Sequence, residues 1–119
     1  MDSIAVVILN WNGVKLLEQF LPSVIQHSNN ARIIVADNAS TDDSISFIKN
    51  NYPSIEVISN HSNGGFAKGY NDALKNIESE LYVLLNSDVE VSENWLNPML
   101  TAMQNENTAG CQPKILSHN

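Results

Sequence analysis

Four runs of strand length stand out along the chain: Ile4 to Leu9, Ile33 to Ala36, Ile55 to Ile58 and Leu81 to Leu85. The first, second and fourth are continuous and rich in β-branched residues, as in strands covered on both faces. Between the runs the period changes to that of a helix. Leu16, Leu17, Phe20, Leu21, Val24 and Ile25 form one apolar stripe, Ile45, Ile48 and Tyr52 a shorter one, and Phe66, Tyr70, Ala73, Leu74 and Ile77 a third. Trp95, Leu96, Met99, Leu100 and Met103 suggest a fourth helix, and Ala109 to Leu116 a last strand. Pro22 lies inside the first stripe and is expected to kink that helix or end it early. Ser40-Thr41-Asp42-Asp43 supplies caps for the second. Alternating strands and helices specify an α/β fold, a three-layer sandwich around a mainly parallel sheet with right-handed crossovers.

In such sheets ligands bind beyond the carboxyl ends of the strands, which directs attention to the loops starting at Asn10, Asp37, Asn60 and Asn86. At 119 residues there is room for one domain. Thirteen acidic residues against six basic ones give a net charge of −7, which argues against nucleic acid as a partner. An anionic small molecule needs a local cation, a metal or helix N-termini to offset that background. The single cysteine, Cys111, rules out an internal disulfide and reads as a small core residue. With no run approaching ~20 apolar residues and no basic N-terminal start, the chain is expected to be cytoplasmic.

The first loop, Asn10-Trp11-Asn12-Gly13, has neither G-x-G-x-x-G nor a P-loop. Taken alone it reads as a capped turn with Trp11 packed on the sheet; the sharper alternative is an aromatic face and amides that hold a flat base. Asp37 ends the second run, where a carboxylate can accept from a ribose hydroxyl or an imide N–H. Asp42, Asp43 and Ser44 read as capping residues. Asn63-Gly64-Gly65-Phe66-Ala67-Lys68-Gly69-Tyr70-Asn71 opens a helix with two glycines and one cation, a candidate anion site. Lys68 could equally be a solvated side chain, Gly69 a point of close packing, and His61 a turn residue. Asn86-Ser87-Asp88-Val89-Glu90 brings one or two carboxylates to the end of the most apolar later run, hard ligands suited to Mg²⁺ or Mn²⁺ shared with phosphates.

Together these segments resemble the family 2 glycosyltransferases, whose Rossmann-like nucleotide-diphospho-sugar transferase fold is called GT-A. The matching stretches are Val7 to Gly13, Val35 to Asp42, Asn63 to Asn71 and Leu84 to Val91, in family order. Asn-Trp-Asn-Gly and Asn-Gly-Gly-Phe are most similar to the rhamnosyltransferase-like branch of polysaccharide biosynthesis. The resemblance implies a nucleotide site made by Leu9, Asn10, Trp11, Asn12, Asp37, Asn38, Gly65, Phe66, Lys68, Asn71, Asn86 and Ser87, with Asp88 as metal ligand. Asn86 stands where the family's Asp-x-Asp motif begins, so metal affinity without nucleotide is expected to be poor.

The implied reaction is inverting, metal-assisted transfer of a sugar from a nucleotide-diphosphate donor, dTDP- or UDP-linked, to a saccharide acceptor, with bound Mn²⁺ or Mg²⁺ as cofactor. Charge builds on the leaving diphosphate, which a divalent ion stabilises, and the acceptor hydroxyl needs a base. In the family that base is an Asp from a later segment. The chain is therefore expected to be the donor-binding half of a shortened GT-A domain, inactive alone, in a parent protein that is cytoplasmic or attached to the inner face of the membrane. A different class of reading is a non-catalytic nucleotide-binding module. A nucleotidyltransferase would need a Gly-rich basic loop after the first strand, which the sequence lacks.

Overall fold

The computed structural model describes residues 4–28, 31–61, 64–79, 81–87, 90–91, 93 and 95–96. The fourth helix beyond Leu96, the strand expected at Ala109 to Leu116, Cys111 and Asp88 lie outside the described residues. In chain order the elements are β1 (Ile4–Asn10), α1 (Val14–His27), β2 (Arg32–Asp37), α2 (Ser44–Asn51), β3 (Glu56–Ser59), α3 (Phe66–Leu74) and β4 (Leu81–Asn86).

The four strands form one parallel sheet in the order β3-β2-β1-β4. Parallel pairing requires crossovers, and the helices supply them. The chain steps outward from β1 through β2 to β3, then jumps back across β1 to place β4 on its other side. Right-handed crossovers taken in opposite directions put their helices on opposite faces. Accordingly α1 and α2 bury Leu17, Leu21, Val24 and Ile48 against one face, with Val6, Ile8, Val35 and Leu85. Helix α3 buries Tyr70 and Ala73 against the other, with Ala5, Val7, Leu9, Ile34 and Ala36. The alternation along β1 divides its side chains between the two layers, which is why every residue of that strand is buried. The architecture is the expected three-layer α/β sandwich.

Two expectations need correction. Of the kink or early end expected at Pro22, the early end does not occur, since α1 continues to His27. The proline ring removes one helix bond, yet Phe20, Leu21 and Val24 around it are all buried, and burial of an apolar face outweighs a local helix defect of about 3 kcal/mol. Second, β4 is not covered on both faces: Tyr82 is 42% and Leu84 50% exposed. Only its other face joins the core, through Val83 and Leu85. The chain after β4 returns to that same core, where Val91, Trp95 and Leu96 are buried. There the Val91 amide donates to Ser23 Oγ, and Trp95 Nε1 to Ser28 Oγ at 2.9 Å.

Candidate functional site

Because β2 and β4 flank β1 and are reached by crossovers of opposite direction, the chain reverses its winding between β1 and β4, and the carboxyl ends there frame a crevice. Asn10 is level with Asp37, and Leu9 with Asn86. The loop starts expected from sequence thus converge at one edge.

Asp37 is the hub. Its carboxylate is 1% exposed and accepts from Asn10 Nδ2 at 3.0 Å, from the Ser40 amide at 2.9 Å and from Ser40 Oγ at 2.7 Å. Burial of a carboxylate is tolerated where such donors surround it. Ser40 Oγ in turn accepts from the Asn12 amide at 2.9 Å, and from Asn10 Nδ2 at 3.3 Å. Asn12 Oδ1 accepts from the amides of Thr41 and Asp42 at 2.7 and 3.1 Å. The loops after β1 and β2 are therefore welded together. Two non-glycine residues, Asn12 at φ 49° and Ala39 at φ 63°, hold the left-handed backbone that this weld requires.

Asp42 completes it. Its carboxylate accepts from the Val14 amide at the start of α1 and from both the amide and hydroxyl of Ser44 at the start of α2. Burial acts to raise its pKa, but the bonds from Ser44 and Val14 outweigh that and hold it below the ordinary carboxylate value. The expected capping role thus falls to Asp42, serving two helices, while Asp43 makes no side-chain cap on α2.

Trp11 is 55% exposed and does not pack on the sheet, the opposite of what its loop alone suggests. Of its neighbours, Asn10 is committed inward and Asn12 is tied at the surface to the loop after β2, and the indole is left as a face toward solvent. On the other side, Asn38 and Asn60 are buried. Asn60 Nδ2 donates to Asn38 Oδ1 at 3.0 Å and to the Gly69 carbonyl at 3.2 Å, tying the ends of β2 and β3 to α3. Gly69 is a point of close packing: a Cβ there would lie 2.8 Å from Leu9 Cδ1 and 3.1 Å from Asn38 Nδ2. Leu9 itself is buried in the core beside α3 rather than open to the crevice.

Gly65, at φ 93°, turns the chain into α3, whose first turn starts with Phe66. Lys68 does not stand as an uncompensated cation: its Nζ pairs with Asp72 Oδ2 at 2.7 Å, one turn along the same helix. Asn71 is exposed on that helix. Tyr70 reaches across to donate its hydroxyl to the Leu85 carbonyl at 2.8 Å, fixing the end of β4, and burial pushes its own pKa up. There Asn86 is exposed and Ser87 half-buried. Their carboxamide and hydroxyl oxygens are hard donors that fit Mg²⁺ or Mn²⁺ in company with phosphates and water. Among the described residues no three His, Cys, Asp or Glu converge on a metal position.

Ser40, Asn60 and Tyr70 hold the site together in roles the sequence reading did not assign: it took Ser40 as a helix cap, Asn60 as a loop start and Tyr70 as part of an apolar stripe. Ser40 carried a further signal, a hydroxyl three residues after a strand-end acid; nothing local gave the partners of Asn60 and Tyr70, which are set by the packing of α3.

The sequence profile of glycosyl transferase family 2 matches residues 5–119. Comparison with curated protein sequences gives no match. Among solved structures, a mannosyltransferase from Pyrobaculum calidifontis, in complex with GDP-Man and Mn²⁺, is similar with a TM-score of 0.78 at 19% identity, over 88% of this chain and 33% of that one. TarS from S. aureus, residues 1–349 in complex with UDP-GlcNAc, gives 0.73 at 22% identity, over 86% and 31%. At such identities the likeness is one of fold. The chain spans about a third of the length of these structures.

Proposed function

Since this chain belongs to glycosyl transferase family 2, we propose that its crevice binds the nucleotide-diphosphate sugar of an inverting, metal-assisted transfer to a saccharide acceptor. The observation that carries this reading is the weld of Asn10, Asn12, Asp37 and Ser40, which buries a carboxylate at the β1/β4 switch point while leaving Trp11 as an open face beside it. A base stacked on the indole would gain the area and quadrupole of the ring. The Asp37 hub, already fixed by three donors, would lose no side-chain freedom on binding. The first turn of α3 directs backbone N–H groups and the positive end of its dipole outward, a favourable place for phosphate in an acidic chain.

Asp88, with Asn86 and Ser87 beside it in sequence, would hold a divalent ion together with the donor's phosphates. When bound, such an ion offsets the negative charge that builds on the leaving diphosphate. That GDP-Man with Mn²⁺, and UDP-GlcNAc, occupy structures of the same fold supports a nucleotide-sugar donor. The wording of the first and third loops supports a rhamnosyltransferase-like member. The acceptor's proton needs a base within reach, worth typically 10²–10⁴ in rate, and the family draws it from a later segment. The 119 residues are therefore expected to bind donor without turning it over.

The test is calorimetric titration with UDP, dTDP and GDP, each with and without Mn²⁺. Binding of at least one, strengthened by Mn²⁺ and weakened in Trp11→Ala, is the expected result. No binding to any of the three under either condition would sink the reading.

A further inference from the structure

The loop after β3 begins with Asn60, 9% exposed, and the loop after β2 with Asn38, 2% exposed. Both are anchored to the sheet through their backbones: the Asn60 amide donates to the Asp37 carbonyl at 2.7 Å, and the Asn38 amide to the Asn10 carbonyl at 2.8 Å. Their side chains turn toward α3. The Gly69 carbonyl can only accept, so it fixes Asn60 Nδ2 on its side, and that same Nδ2 also donates to Asn38 Oδ1. Asn38 is thereby oriented in turn, with its own Nδ2 facing the Gly65 carbonyl at 3.4 Å. The backbone bond that opens the helix, from the Gly69 amide to that same carbonyl at 3.0 Å, closes a ring. Each link has one possible direction, so the ring holds the start of α3 both in height and in rotation about its axis.

What α3 carries lies on the other side of the sheet. Asn60 follows β3, and β3 and β4 are the outermost of the described strands. Next to Gly69, Tyr70 donates its hydroxyl to the Leu85 carbonyl at 2.8 Å, and Leu85 directly precedes Asn86 and Ser87. The ring of Tyr70 is rigid, so where its hydroxyl arrives is set by where the helix stands. A hydrogen bond tolerates little misplacement, and a slide or turn of α3 at Gly69 would draw the hydroxyl off Leu85. Packing alone does not prevent that slide, because the side chains that meet α3 here, among them Ala5, Val7 and Ala36, are small and apolar, and apolar contact has no direction. On the nucleotide-sugar reading of the crevice, on which this inference rests, Asn86 and Ser87 stand with the divalent ion and the donor's diphosphate. We propose that Asn60, from the opposite side of the described sheet, is a positioning residue for that half of the site: it holds α3 so that Tyr70 can fix the end of β4.

The experiment titrates UDP, dTDP and GDP by calorimetry, each with and without Mn²⁺, and takes for every nucleotide that binds the ratio of the two dissociation constants. In Asn60→Ala the gain from Mn²⁺ should fall at least about threefold, the scale of one hydrogen bond, while affinity without Mn²⁺ stays within about twofold of the wild type. Asn60→Ser keeps a hydroxyl but not the reach; it is the gentler variant and should change the ratio in the same direction, with circular dichroism reporting the fold of both. In a Tyr70→Phe background Asn60→Ala should cost nothing further in the Mn²⁺ ratio, because the two residues act on one path. A residue that only braced the fold would lower the thermal midpoint and leave the ratio as it was. A ratio unchanged in the folded variants, a loss that adds fully to that of Tyr70→Phe, or failure of both variants to fold would overturn the role of Asn60 and leave the nucleotide reading intact. Absence of nucleotide binding by the wild type, or binding indifferent to Mn²⁺, would instead remove the reading on which it rests.

Discussion

Ala39 holds a φ of 63° without the freedom of glycine. For an L-residue with a Cβ that conformation costs roughly 1–2 kcal/mol, against about 0.4–1 kcal/mol that glycine loses through its more mobile unfolded state. Ala39→Gly should therefore stabilise the protein slightly, by about 0.5 kcal/mol, and Ala39→Val should destabilise it by more than about 1 kcal/mol. Urea midpoints at constant m-value decide this; a destabilised glycine variant would show that the strain is absent. Asp42 is the residue through which pH should act. Its folded pKa lies below the ordinary carboxylate value, so its contribution is complete above pH ~4 and is lost as pH falls through the depressed value. Asp42→Asn should lower stability at pH 7 by about 1–2 kcal/mol, because it removes one of the two acceptor oxygens that serve Val14 and Ser44. It should also flatten the acid limb of the stability curve, and a limb of unchanged steepness would place the sensitivity elsewhere.

Between elements, α3 does two jobs at once: it covers one face of β1 and β2 and pins the end of β4. The second job rests on one hydroxyl, Tyr70 to the Leu85 carbonyl. Tyr70→Phe keeps the packing of a buried ring and deletes the bond, so it should cost about 1–2 kcal/mol by chemical denaturation. If the bond positions the loop at Asn86 and Ser87 rather than only stabilising the fold, Mn²⁺-dependent nucleotide affinity should drop as well. A variant that loses stability with no change in that affinity would confine Tyr70 to packing. At the far end of the strands Arg32 pairs with Glu56 at 2.8 Å and donates to the Glu78 carbonyl. That pair is exposed and contributes little.

For the whole molecule, the charge of −7 sets the sign of a salt effect. A crevice whose nearby cation, Lys68, is already paired with Asp72 attracts a diphosphate through dipoles and metal rather than through net charge. Raising NaCl from about 50 to 200 mM shortens the Debye length and screens the repulsion between an acidic protein and an anionic ligand. Metal-free nucleotide affinity should then hold or rise slightly. A several-fold fall would show that uncompensated cations line the crevice.

The order and type of the elements were legible in the sequence, because continuous apolar runs of four to six residues and stripes of period 3.6 report directly which faces must leave water. The strand-end acid and amides were legible too, since loops at the carboxyl edge of a parallel sheet have a known place. What local pattern could not carry was the result of competition between distant groups. The indole of Trp11 faces solvent beside an Asn10 drawn into the core by Asp37 and an Asn12 held at the surface by the Thr41 and Asp42 amides, about thirty residues away. Lys68 is neutralised by a neighbour that only the helical turn brings within reach, and half of β4 stays exposed because α3 covers β1 and β2 instead. The buried oxygen of Asn10, unpaired among the described residues, belongs wholly to the tertiary structure: it follows from which end of one amide Asp37 holds and from the close approach of Gly13.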